Sequence, residues 1–114
     1  MSDCLFCGIV AGTVPSEKVA ATERVYAFRD VNPAAPVHVL VVPREHLESA
    51  HALRREHGDL LAELYGVVHD VAEAEGVGPS GYRIVANVGR AAGMTVPHLH
   101  LHLLGGRPLA WPPG

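Results

Sequence analysis

Apolar residues recur along this chain with two different periods, and the switch between them predicts the elements. Leu60, Leu64, Val67, Val68, Val71 and Ala72 fall at helical spacing, with Asp59, Glu63, Asp70 and Glu73 on the opposite side. That is the stripe of an amphipathic helix with one face on a core. Gly76 ends it and Gly78-Pro79 prevents its continuing, while its start falls between Ser49 and Glu56. Val37-His38-Val39-Leu40-Val41-Val42, rich in β-branched residues between Pro36 and Pro43, predicts a buried strand. Shorter strands are predicted at Val19 to Ala21 and Val25 to Arg29, meeting at a tight turn near Glu23-Arg24, and at Tyr82 to Asn87. Leu5 to Ala11 predicts a short helix, stopped by Gly12 and Pro15. Asp30 to Pro36 and Gly89 to Pro97 carry the prolines and glycines of loops. His98 to Leu104 predicts a last strand ended by Gly105-Gly106. The expected class is α+β: an antiparallel meander of about five strands, one long helix and a short N-terminal helix. No repeat or linker divides residues 1–114, the length of a single compact domain.

At 48% hydrophobic the chain can build a core, but at this length it buries only about two-thirds of its unfolded surface, so pairing with a second subunit would help. The net charge of −3, with only Arg54-Arg55 adjacent among the basic residues, argues against nucleic acid as a partner. The opening MSDCLFCGIV lacks the basic start of a secretory signal, and no apolar run approaches the ~20 residues of a membrane span. Two cysteines spaced Cys4-x-x-Cys7 make no disulfide framework. The expected setting is cytoplasmic, with no membrane partner.

What composition does not explain is eight histidines, three of them packed into His98-Leu99-His100-Leu101-His102. In a strand the three imidazoles share one face, about 6–7 Å apart, and the leucines fill the other. Two chemistries suit such a row. A catalytic metal could use two of the rings, though the outer pair is too widely spaced for all three to hold one tetrahedral ion. Alternatively, a neutral imidazole could attack phosphorus and form a covalent intermediate, with a neighbouring imidazole handling protons. The preceding loop favours the second: Gly93-Met94-Thr95-Val96 offers close backbone approach, a hydroxyl and N–H groups suited to phosphate oxygens.

Pro97-His98-Leu99-His100-Leu101-His102-Leu103-Leu104 resembles the alternating histidine–apolar signature of the histidine triad (HIT) superfamily. Phe28-Arg29-Asp30-Val31-Asn32-Pro33 and Pro36 to Pro43 look like its nucleoside-binding loop and strand. Asn87-Val88-Gly89 and Gly93-Met94-Thr95 look like its phosphate loop. Gly105-Gly106-Arg107 and the terminal Trp111-Pro112-Pro113-Gly114 are similar to the Hint branch, the histidine triad nucleotide-binding proteins.

The resemblance implies a HIT-like fold and hydrolysis of purine nucleoside phosphoramidates through a nucleotidyl-histidine. It makes His100 the nucleophile, held through its Nδ1–H by the carbonyl of His98. His102 and His38 complete the hydrogen-bonding and proton-transfer set, Thr95 meets the phosphate or the departing amine, and Asn87 orients the site. Asp30 accepts from the ribose hydroxyls, while Phe6, Ile9, Phe28 and Val31 form the slot for the base. Gly93 and Met94 belong to the phosphate loop, but the family commonly has glutamine at Met94, so one side-chain donor is missing here. It also implies a homodimer, helix to helix, whose tail carries Trp111 toward the partner's site.

Cys4-x-x-Cys7 is weak evidence by itself, since buried thiols or two ligands of a Cys₂His₂ zinc site would both explain it. In related bacterial proteins a structural Zn²⁺ uses such a pair, a histidine soon after the central strand and the first triad histidine. The resemblance therefore implies Cys4, Cys7, His46 and His98. His51, His57 and His69 read as solvated. Two further readings stay open: a dinucleoside polyphosphate hydrolase of the Fhit type, against which the Trp-Pro-Pro-Gly tail argues, and a purine-nucleotide-binding interaction protein with incidental hydrolysis.

Overall fold

Alternation along the predicted strands sorts the side chains onto two faces of one sheet. In the computed structural model, which describes residues 4–114, five strands form: β1 (Lys18–Ala21), β2 (Val25–Arg29), β3 (Val37–Pro43), β4 (Tyr82–Val85) and β5 (Leu101–Gly105). Their order is β1-β2-β3-β5-β4, and each neighbouring pair is antiparallel. The meander runs through the first three strands. Helix α2 (Gly58–Ala74) then carries the chain to the far edge, and β5 returns between β3 and β4.

Val25, Ala27, Val39, Val41, Leu101 and Leu103 all face the stripe of α2, where Leu60, Leu64, Val67, Val68, Val71 and Ala72 complete the main core. Each such side chain contributes roughly 1.5–3 kcal/mol by leaving water. Leu64 is fully buried, so Leu64→Ala would cost roughly 2–5 kcal/mol. Arg29 clamps the end of β2 to the far end of α2, donating from Nη1 and Nη2 to the two carboxylate oxygens of Glu75 at 2.8 and 3.0 Å. That fork lowers the Glu75 pKa and fixes the strand end from which Asp30 departs.

The opposite face is only partly covered. Helix α1 (Leu5–Ala11) sets Phe6 and Ile9 on Phe28, Leu40 and Val42, and Gly12 ends it at φ +83°, a conformation glycine takes at little cost. The remainder of that face holds the histidines.

Three boundaries differ from the pattern's expectation by two residues or more. Helix α2 starts only at Gly58, because Ser49 to Glu56 is occupied by 3₁₀ turns at Ala50–Ala52 and Arg55–His57. The second is locked by the Arg54 N–H donating to His57 Nδ1 at 2.8 Å, so His57 is half-buried and bonded rather than solvated. β4 ends at Val85, leaving Asn87 beyond it. β5 begins at Leu101 instead of His98, because the Leu99 N–H donates to Leu47 O (2.6 Å) and the His98 N–H to Val96 O (2.8 Å). The alternation of faces survives all the same: Leu99 lies in the α2 core, and His98 and His100 pack against Phe6. Among the described residues no helix is long and apolar enough to cross a membrane.

Candidate functional site

Each triad histidine is turned by a different partner, and the partners define the protons. The main-chain oxygen of His98 lies 2.7 Å from His100 Nδ1. A carbonyl only accepts, so Nδ1 carries the hydrogen, and in the neutral ring Nε2 of His100 keeps a bare lone pair. The ring is buried, edge-on to Phe6 at 5.0 Å between centroids, and lines the cleft described below.

His38 is fixed in the opposite sense. The Ala34 N–H donates to its Nδ1 at 3.0 Å. Burial holds its pKa below the usual histidine range, with Asp30 opposing weakly, so a neutral ring carries its proton on Nε2. That N–H donates to His102 Nδ1 at 2.9 Å, with Asp30 Oδ2 3.4 Å away as a lesser acceptor. His102 therefore holds its own hydrogen on Nε2. Burial first, then the neighbouring His100 and His38, push its pKa down to about 4, so it is neutral near pH 7. The rings of His100 and His102 are 4.9 Å apart, closer than the strand repeat suggests, because His100 precedes the ladder.

His98 turns away from this pair and is fully buried. Its Nε2–H donates to Pro43 O at 2.9 Å, which leaves Nδ1 unprotonated, 3.3 Å from Cys4 Sγ and 3.5 Å from Cys7 Sγ. Cys7 Sγ is also 3.3 Å from His46 Nδ1. A tetrahedral zinc ion with bonds of about 2.3 Å to sulfur and 2.0 Å to nitrogen would separate such donors by about 3.5 Å. Cys4, Cys7, His46 and His98 thus fit one ion. Asp30, His38 and His102 are equally close together, but there the His38 nitrogen facing the group already bears a proton. The spacing of the first cluster suits a cation, whereas the second is tied by a hydrogen bond.

In front of His100 lies a cleft of about 340 Å³. The expected Phe6, Ile9, Phe28, Asp30, Val31, Thr95, His100 and His102 all line it, and His38 reaches it through His102. Asp30 is steadied by accepting the Asn32 N–H on Oδ1 at 2.8 Å. Asn87, Gly93 and Met94 are not among the lining residues. Met94 is half-buried, its N–H on Gly89 O at 3.2 Å, after Gly93 at φ +85°. Trp111 is 83% exposed and lies outside this chain's own cleft. Leu5, Val14 and Pro15 also line it without having been expected there, and Leu40 and Val96 do so from within the strand and loop named above, where neither was singled out. Leu40 was legible, since it alternates with His38 onto the same face. Val14 and Pro15 arrive there only through the reversal after α1, which leaves no periodic signal.

The HIT domain family matches residues 11–109. A HIT family hydrolase from Legionella pneumophila Philadelphia 1 has the same fold, with a TM-score of 0.96 and 42% identity over 98% of this chain and 100% of that one. The purine nucleoside phosphoramidase of Escherichia coli (strain K12) is 38% identical over 94% of this chain and 90% of its own length. The 14 kDa zinc-binding protein of Zea mays is 41% identical over 99% and 89%. The chain belongs to the HIT family, in its Hint-like branch.

Proposed function

We propose that this protein hydrolyses purine nucleoside phosphoramidates through a covalent nucleotidyl-histidine on His100. The observation that carries the reading is the bare Nε2 of His100, set by the 2.7 Å bond from its Nδ1–H to His98 and placed on an apolar cleft. The likeness to the Escherichia coli phosphoramidase supports the substrate class, and the likeness to the Legionella pneumophila hydrolase supports the reaction type.

The base enters between Phe6, Ile9, Phe28 and Val31, where only apolar surface lines the cleft, and the ribose hydroxyls donate to Asp30. The His100 Nε2 lone pair attacks phosphorus, the phosphorus–nitrogen bond of the substrate breaks, and the amine leaves with a proton drawn from solvent, which the water of the second step returns. Water then attacks the same phosphorus and the bond to His100 breaks, releasing the nucleoside monophosphate. Overall one water supplies the proton on the amine and the hydroxyl on phosphorus. His102 donates its Nε2–H to phosphoryl oxygens as charge gathers there, and the Thr95 hydroxyl meets the phosphate or the departing amine. Met94, Gly93 and Asn87 shape the surrounding loop.

Cys4, Cys7, His46 and His98 would hold a structural Zn²⁺, a reading the Zea mays relative supports. When bound, the ion cross-links α1, the segment after β3 and the triad, and it takes no part in the bond changes. Pairing of two copies is supported by Leu61 and Tyr65, exposed four residues apart on the outer side of α2. Trp111 would then approach the partner's cleft.

Turnover of an adenosine phosphoramidate, compared with diadenosine polyphosphates, tests the reading. The phosphoramidate is expected to be the far better substrate, and only with His100 intact. Cleavage of the dinucleotides alone would overturn it in favour of a polyphosphate hydrolase. Binding of adenosine monophosphate without turnover of either would point to an interaction protein.

A further inference from the structure

The Ala34 N–H decides which nitrogen of His38 is protonated, and Ala34 is itself gripped from outside the cleft. Arg107, just beyond β5, donates from Nη2 to the Ala34 carbonyl at 2.9 Å and from Nη1 to the Pro108 carbonyl at 2.9 Å. No carboxylate pairs with it among the described residues. A guanidinium bond to a carbonyl is charge-assisted and stronger than a neutral one. The same turn also touches the loop sterically. Gly106, at φ +89°, sits so near Pro36 that an added Cβ would come within 2.9 Å of the Pro36 Cβ. Within that loop Pro33 and Pro36 have no N–H, and the Asn32 N–H is taken by Asp30. The loop thus aims the Ala34 donor at His38, and the Gly106-Arg107 turn holds the loop. The Gly106-Arg107 turn that follows the last strand otherwise has no part in the site.

We propose that Arg107 is a positioning residue: by holding Ala34 it sets the tautomer of His38, and through the 2.9 Å His38–His102 bond it sets which nitrogen of His102 offers a hydrogen to the cleft. With Ala34 released, His38 can carry its proton on Nδ1. Its Nε2 then accepts, His102 donates from Nδ1, and the bare Nε2 of His102 faces the anionic phosphate. The consequence for turnover rests on the hydrolase reading. The tautomer itself is a property of the unliganded protein.

The experiment compares wild type, Arg107→Met and Arg107→Lys. Ring ¹⁵N shifts of His38 and His102 in the unliganded protein are expected to report Nε2–H on both rings in wild type. Arg107→Met is expected to add an Nδ1–H population, and Arg107→Lys, which keeps a cationic donor, to stay near wild type. With adenosine phosphoramidate, kcat is expected to fall about 3–10-fold in Arg107→Met while KM stays within about twofold. Arg107 is exposed, so both variants are expected to fold, with thermal midpoints close to wild type. Unchanged ring shifts in Arg107→Met would overturn the inference whatever happens to turnover. Shifted tautomers alongside a wild type that fails to hydrolyse the phosphoramidate would uphold it and remove the hydrolase reading instead.

Discussion

His98 serves two neighbours at once: its carbonyl accepts the Nδ1–H of His100 at 2.7 Å, and its own Nδ1 lies 3.3 Å from Cys4 Sγ. The cysteine cluster and the bare nitrogen of His100 are therefore separated by one residue's backbone. Whatever steadies the His98 ring also steadies the oxygen on which His100 depends.

Zinc removal should consequently affect both stability and turnover. The purified protein is expected to contain about one zinc per chain, and Cys4→Ala to contain none. A chelator is expected to lower the thermal midpoint by at least about 5 °C, since an ion that binds only the folded state stabilises it. Metal analysis alongside calorimetry checks this. A metal-free wild type whose midpoint ignores the chelator would contradict the assignment.

Acid is expected to destabilise the fold earlier than carboxylate titration alone would. His102 is pushed down to about 4, and His38 is also lowered, each mainly by burial. In the unfolded chain these rings titrate near 6.5. The unfolded state therefore takes up protons first as pH falls. Stability is complete above about pH 6.5 and is lost progressively toward pH 4. After discounting for solvent screening, His102 alone accounts for about 2 kcal/mol of that loss. Urea midpoints measured from pH 7 to pH 4.5 should decline steadily, and a flat profile would contradict the buried neutral rings.

Much of this was legible in the chain. The stripe from Leu60 to Ala72 marked α2, and the alternation through His98 to Leu103 placed leucines and imidazoles on opposite faces. That alternation needs only an extended backbone, which is why the faces were right although the ladder starts at Leu101. Two things were not legible. Periodicity is silent about neighbours, so nothing local said that β5 lies between β3 and β4. Nor did spacing distinguish the protons. The difference between a metal-ready His98 and a proton-bearing His38 comes from Pro43 and Ala34, main-chain partners 55 and four residues away. His46, exposed on the segment after β3, was reachable only through the family resemblance.

Met94 gives a gain-of-function prediction. It follows Gly93 in the loop before β5 proposed to meet the phosphate, outside the residues that line the cleft, and the family resemblance puts glutamine there. A side-chain donor that reached the transition state would be worth about tenfold or more in rate. Met94→Gln is expected to raise kcat on the phosphoramidate by about tenfold and leave the thermal midpoint nearly unchanged. Steady-state kinetics decide the matter: an unaltered or lower kcat would show that a side-chain amide has no use at this position.

The most direct test is the mass of the protein itself, quenched in alkali within the first turnover after mixing with an adenosine phosphoramidate. An added nucleotidyl group is expected, located by peptide mapping on His100, that decays as water completes the reaction and never forms in His100→Ala. Turnover without any adduct, or with the adduct on His38, His98 or His102, would contradict that role for His100.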